Sequence, residues 1–91
     1  MQTFDEGRAW KVRPTVSLRP EPFGALAYDF DTRRLSFLKH PLLVRVVEKL
    51  ATASDAASAC AEAGVTDRER GPVLRALGQL AEKGMIVERE T

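Results

Sequence analysis

Ninety-one residues carry 14 Lys and Arg against 13 Asp and Glu, with one His and one Cys, so the formal net charge is only +1. A chain this short forms one domain with a thin core, burying about 60–70% of its unfolded surface. The balanced charge argues against a dedicated nucleic-acid binder, the single cysteine against a disulfide or thiolate-metal framework, and the absence of any ~20-residue apolar run against a membrane span.

The opening "MQTFDEGRAW" has acids and no apolar run, unlike a signal peptide. It points to a soluble protein of a reducing compartment, the cytoplasm. Residues 1–9 are polar and are expected to be a flexible terminus; residues 10–88 are expected to form a single domain. Trp10, Val12, Val16 and Leu18 then alternate as in a half-buried strand, interrupted or placed at an edge by Pro14. "RPEP", Arg19 to Pro22, reads as a stiff connector.

A second strand puts Leu26, Tyr28 and Phe30 on one side and Ala25, Ala27 and Asp29 on the other. Asp31, Thr32 and Arg33 supply a turn. A third strand, Arg34 to Leu38, sets Leu35 and Phe37 on one face and Arg34, Ser36 and Leu38 on the other. The face bearing the large apolar residues is expected to be covered, with Leu35 and Phe37 in the core.

Pro41 suits the first position of a helix whose apolar stripe is Leu43, Val46, Val47 and Leu50. Ser54 is the expected N-cap of a second, alanine-rich helix that Gly64 ends. Thr66 and Glu69 have capping-box spacing before a third. Gly71-Pro72 interrupts it, and a restart at Pro72 is expected, with Val73, Leu77, Leu80 and Ala81 facing inward. Gly84 stops that helix, and Met85 to Val87 form a short closing strand. The order is an α+β domain: a three-stranded antiparallel sheet followed by three helices, winged-helix-like in its helical half.

The residues offer little chemistry. His40 precedes Pro41 without a Cys or Ser partner or metal-ligand spacing and reads as a surface or capping residue. Cys60 sits on the apolar side of its helix and reads as a small buried hydrophobe. Asp29 and Asp31 read as solvated turn carboxylates with nothing to pair them into an acid–base dyad. No cofactor is implied. A winged-helix DNA-binding regulator is the rival reading, with Arg68, Arg70 and Arg75 able to reach phosphate; the alternative is that these are solvated charges among Asp67, Glu69 and Glu82.

The hairpin is the better-patterned feature. A third strand that leads straight into a helix can be left at an edge, with amides and carbonyls to spare for an incoming peptide strand. In "RRLSFLK", Arg33, Arg34 and Lys39 would attract an acidic partner, while Leu35, Phe37 and Leu38 offer apolar contact.

"WKVRPTVSLRPEPFGALAYDFDTRRLSFLKHPLL", and within it "LRPEPFGALAYDF" and "RRLSFLK", resembles the PqqD-like family of recognition elements for ribosomally made, modified peptides, in its mycofactocin branch. "LRALGQLAEKGMI" agrees with the family's last helix. The likeness covers Trp10 to Val87. It implies the PqqD-like fold, no catalysis and no cofactor. It also implies a leader peptide docked as an extra strand on the third strand, in the groove before the third helix. Carried onto this chain, the peptide-binding residues are Arg33, Arg34, Leu35, Ser36, Phe37, Leu38 and Lys39, faced by Leu74, Arg75, Gly78, Ala81 and Glu82. The implied partners are the mycofactocin precursor peptide and a radical S-adenosylmethionine (radical SAM) maturase carrying iron–sulfur clusters, with no nucleic acid and no membrane.

Overall fold

The computed structural model describes residues 3–89, so Met1 and Gln2 of the terminus expected to fray lie outside the described residues. Its elements run β1 (Trp10–Val12), β2 (Val16–Glu21), β3 (Gly24–Asp29), β4 (Arg34–Leu38), α1 (Pro41–Lys49), α2 (Ala56–Glu62), α3 (Asp67–Glu82) and β5 (Ile86–Glu88). The α+β class and the three-stranded antiparallel sheet, ordered β2-β3-β4, agree with the sequence reading.

The first expected strand divides in two. β1 leaves the main sheet and pairs antiparallel with β5 in a separate two-stranded ribbon, Trp10 opposite Glu88 and Val12 opposite Ile86. Pro14 lies between β1 and β2, where the missing amide is harmless. The expected connector is mostly strand: Arg19, Pro20 and Glu21 belong to β2, and Pro20 is tolerated because β2 is a sheet edge. Chain closure is reinforced by Arg89, whose guanidinium donates to the carbonyls of Leu50, Ala51 and Ala53 at 2.6–2.8 Å. These are carbonyls at and beyond the C-terminus of α1, where a cation is favoured.

Helix boundaries follow local chemistry. Pro41 opens α1, and His40 is its cap, Nδ1 accepting from the Leu42 amide at 3.2 Å. The cap of α2 is Asp55 rather than Ser54; Oδ1 accepts from the Ser58 amide at 2.7 Å, which holds its carboxyl below the ordinary value. Gly64, at φ 82°, ends α2 as the pattern predicts.

α3 runs unbroken through Gly71 and Pro72, so the expected restart does not occur. The capping box fixes the first turn: Thr66 Oγ1 accepts from the Glu69 amide, and Glu69 Oε1 accepts from the Thr66 amide at 3.0 Å. Pro72 has no N–H to donate, so the helix forgoes one hydrogen bond to the Arg68 carbonyl. Both Pro72 and Gly71 face solvent, and Gly71 has no Cβ to crowd the proline ring.

The core joins Trp10, Ala25, Ala27 and Leu38 to Leu42, Val46, Val47 and Leu50 of α1 and its C-terminus, Ala56, Ala59 and Cys60 of α2, Val73, Leu77 and Leu80 of α3, and Ile86. Burial pushes the Cys60 thiol up, as expected of an unreactive core cysteine. Ahead of β1, Phe4 packs on Trp10 with ring centroids 5.2 Å apart, and Trp10 Nε1 donates to the Asp5 carbonyl at 2.8 Å. The Glu6 and Arg8 carbonyls accept from Ala57 and Ala56 at the start of α2, and Glu6 pairs with Arg70 at 2.6 Å.

Candidate functional site

Which side of the sheet is covered decides what the protein can present. α1 packs on the inner side of β3 and β4. The residues buried there are the small ones, Ala25, Ala27 and Ser36, with Leu38 and Asp29. The expectation that the large apolar face is covered is therefore reversed: Leu35 is 53% and Phe37 58% exposed, and Tyr28 and Phe30 also face solvent. Strand alternation is as read; its direction is inverted. Alanines under α1 let the helix approach closely, and the helix itself supplies the bulk that fills the layer.

Asp29 shows the same inversion, being buried instead of solvated. Its Oδ1 accepts from Thr15 Oγ1 at 2.8 Å and from the Asp31 amide at 2.9 Å, and Arg13 Nε stands 3.9 Å from Oδ2. Burial alone would raise this carboxyl, but the hydrogen bonds from Thr15, Asp31 and Thr32 outweigh it and hold it below the ordinary value. The group shapes the turn: Arg33, at φ 64°, donates its amide to the Asp29 carbonyl.

β4 pairs with β3 on one side, from Ala25 opposite Leu38 to Asp29 opposite Arg34. Its other edge has no strand partner among the described residues. β2 is the second edge, but Pro20 removes one of its donors, whereas β4 contains no proline. Arg33, Arg34 and Lys39 border the β4 edge, and none of them joins an ion pair among the described residues.

Just beyond the end of β4 lies an apolar cleft of about 240 Å³, between His40, Leu42 and Leu43 on one side and Arg68, Glu69, Pro72, Val73 and Ala76 of α3 on the other. The helix residues proposed from sequence lie elsewhere on α3. Ala81 is buried in the core, Leu74 is half-buried against it, and a Cβ at Gly78 would meet Phe4. Arg75 and Glu82 are exposed. Of the cleft residues on α3, Arg68 and Glu69 precede Pro72, where the sequence pattern predicts a restart of the helix. The capping-box spacing at Thr66 and Glu69 was the signal that could have found them.

No group of three or more His, Cys, Asp or Glu residues able to hold a metal exists among the described residues. His40 and Cys60 are committed to a cap and to the core. Fold and surface together define a small α+β binding module.

Comparison with known sequences gives the family. The model of the peptide chaperone MftB family matches residues 9–87, and the chain belongs to that family. It is 51% identical over 88 residues to the peptide chaperone MftB of Mycobacterium tuberculosis, covering 97% of this chain and 81% of the relative. The same identity holds against the peptide chaperones MftB of Mycobacterium ulcerans, covering 96% and 80%, and of Mycolicibacterium smegmatis, covering 93% and 83%. No solved structure gives a significant match. The chain is thus a non-catalytic peptide chaperone of mycofactocin biosynthesis.

Proposed function

We propose that the protein holds the leader of the mycofactocin precursor peptide as an added strand on β4, and presents the rest of that peptide to a radical SAM maturase in the cytoplasm. The vacant, proline-free edge of β4 is the observation that carries this reading, with an apolar cleft between α1 and α3 that starts at His40, two residues after β4 ends. In it the leader pairs its backbone with residues 34–38, is drawn in by Arg33, Arg34 and Lys39, and seats an apolar side chain among Leu42, Leu43, Pro72 and Val73. The helix contacts come from the Arg68–Ala76 stretch, with Arg75 and Glu82 on the exposed side, and not from the buried Ala81. In this reading the α+β domain is a winged-helix-like recognition fold of the PqqD-like kind.

Each main-chain hydrogen bond contributes about 0.5–1.5 kcal/mol net, so an edge of this length gives a moderate affinity that cleft contacts sharpen. The maturase's iron–sulfur clusters and S-adenosylmethionine would supply the chemistry. The chaperone's part is tethering, which raises the local substrate concentration to the order of mM. The DNA-binding alternative has less to stand on, since Arg70 is already paired with Glu6.

Amide hydrogen exchange of the protein with and without synthetic leader tests this. Outward amides of residues 34–38 are expected to become protected. Leader binding that leaves them unprotected would remove strand addition at β4, and failure to bind leader at all would remove the reading.

A further inference from the structure

The outer face of the β2-β3-β4 sheet takes no part in the core and is not needed to hold a strand at the β4 edge. The register sets Tyr28 beside Leu35 and Leu26 beside Phe37, with Arg19 opposite Leu26. Phe23 reaches Phe37 with ring centroids 5.9 Å apart, and Phe23, Phe37 and Lys39 border an open hollow of about 470 Å³. Burying Phe23, Tyr28, Leu35 and Phe37 inside would have been worth several kcal/mol, yet Phe23 remains 42% and Phe37 58% exposed. A contiguous aromatic patch of this kind on a small domain marks a contact surface.

We infer that this face is a second docking surface, for a folded protein that inserts an apolar side chain into the Phe23–Phe37 hollow and frames it with carboxylates. Charge chooses the occupant. Arg19 and Lys39 lie on the face and Arg33 at its hairpin end, none of them in an ion pair among the described residues, against Glu21 on the face and Asp31 in the hairpin turn, the latter already paired with Arg13. A second copy laid face to face would oppose these cations to each other. A bilayer would favour protruding rings, whereas here Tyr28 and Phe37 lie on the pleated sheet, and Phe37 borders a hollow with Phe23 of the β2–β3 turn. An acid-rimmed protein surface with a central knob fits both features. Resting on the proposed function, the inference assigns this surface to the maturase: Arg33 and Lys39 border the leader edge as well, while Arg19, Phe23 and the hollow belong to the maturase surface alone.

The test uses the double variant Arg19→Glu, Phe23→Ser, both positions lying outside the proposed leader site. Thermal midpoint and affinity for synthetic leader are expected to stay as in the wild type, while the dissociation constant for the maturase rises at least about tenfold. Arg19→Glu alone, read with the salt dependence of the wild-type complex, serves if the double variant folds poorly. Unchanged maturase affinity with intact leader binding overturns the inference and leaves the proposed function standing. A wild type that binds maturase but not leader does the reverse. Two other results also overturn it: a wild-type dimer in sedimentation that the variant abolishes, or binding to phosphatidylglycerol vesicles that the variant loses while keeping the maturase.

Discussion

Phe37 and Leu38 are neighbours on β4 with opposite fates, and truncating each to alanine separates the structure from the sequence pattern. Leu38 is 1% exposed and packs in the layer beneath α1, so Leu38→Ala is expected to cost about 2–5 kcal/mol. Phe37 is 58% exposed. Of the roughly 200 Å² a phenylalanine can bury, only about 80 Å² is then covered, and at about 25 cal/mol per Å² the ceiling is about 2 kcal/mol. Part of that cover comes from Phe23, itself exposed, and the unfolded chain hides some of the ring as well, which brings the expected loss to about 1 kcal/mol. A core phenylalanine would cost about 3–5 kcal/mol. Urea denaturation at a common m-value reads both variants directly. A loss for Phe37→Ala equal to or above that for Leu38→Ala would refute the assignment of the outer face.

Gly24 lies at φ 148°, and a Cβ there would stand 2.0 Å from the Leu38 carbonyl oxygen, so Gly24→Ala is expected to destabilise by at least about 2 kcal/mol; a urea midpoint like that of the wild type would contradict the close strand approach. Asp29 titrates below its ordinary value in the folded chain, so its contribution is fully present above the unfolded carboxyl pKa of about 4 and fades as pH falls through the folded value. Asp29→Asn should therefore be less stable than the wild type at pH 7, by a margin that narrows toward pH 3. A gap independent of pH in paired urea melts would show that the ionised form is not what the turn uses.

Wherever one local interaction decides the outcome, the sequence reading holds: Pro41 and His40 at the start of α1, Gly64 at the end of α2, the capping box at Thr66 and Glu69, and the two-residue alternation of β3 and β4. It slips where two local signals compete. At α3 the proline outweighed the cap in the reading, while in the molecule a solvent-facing Pro72 behind Gly71 loses a single bond and the helix continues. The cleft residues Arg68 and Glu69, ahead of Pro72, are missed for the same reason.

Alternation names two faces of a strand, but it does not say which one a helix will cover. Hydropathy alone would bury Leu26, Tyr28, Leu35 and Phe37. The folded chain instead covers Ala25, Ala27, Ser36 and Leu38, because α1 brings its own bulky stripe and needs a shallow surface to rest on. The pairing of Trp10–Val12 with Ile86–Glu88 likewise depends on residues more than seventy positions apart. Caps, turns and alternation are written in neighbouring residues; the covered face, the vacant edge and the exposed aromatic patch exist only once α1 has settled on the sheet.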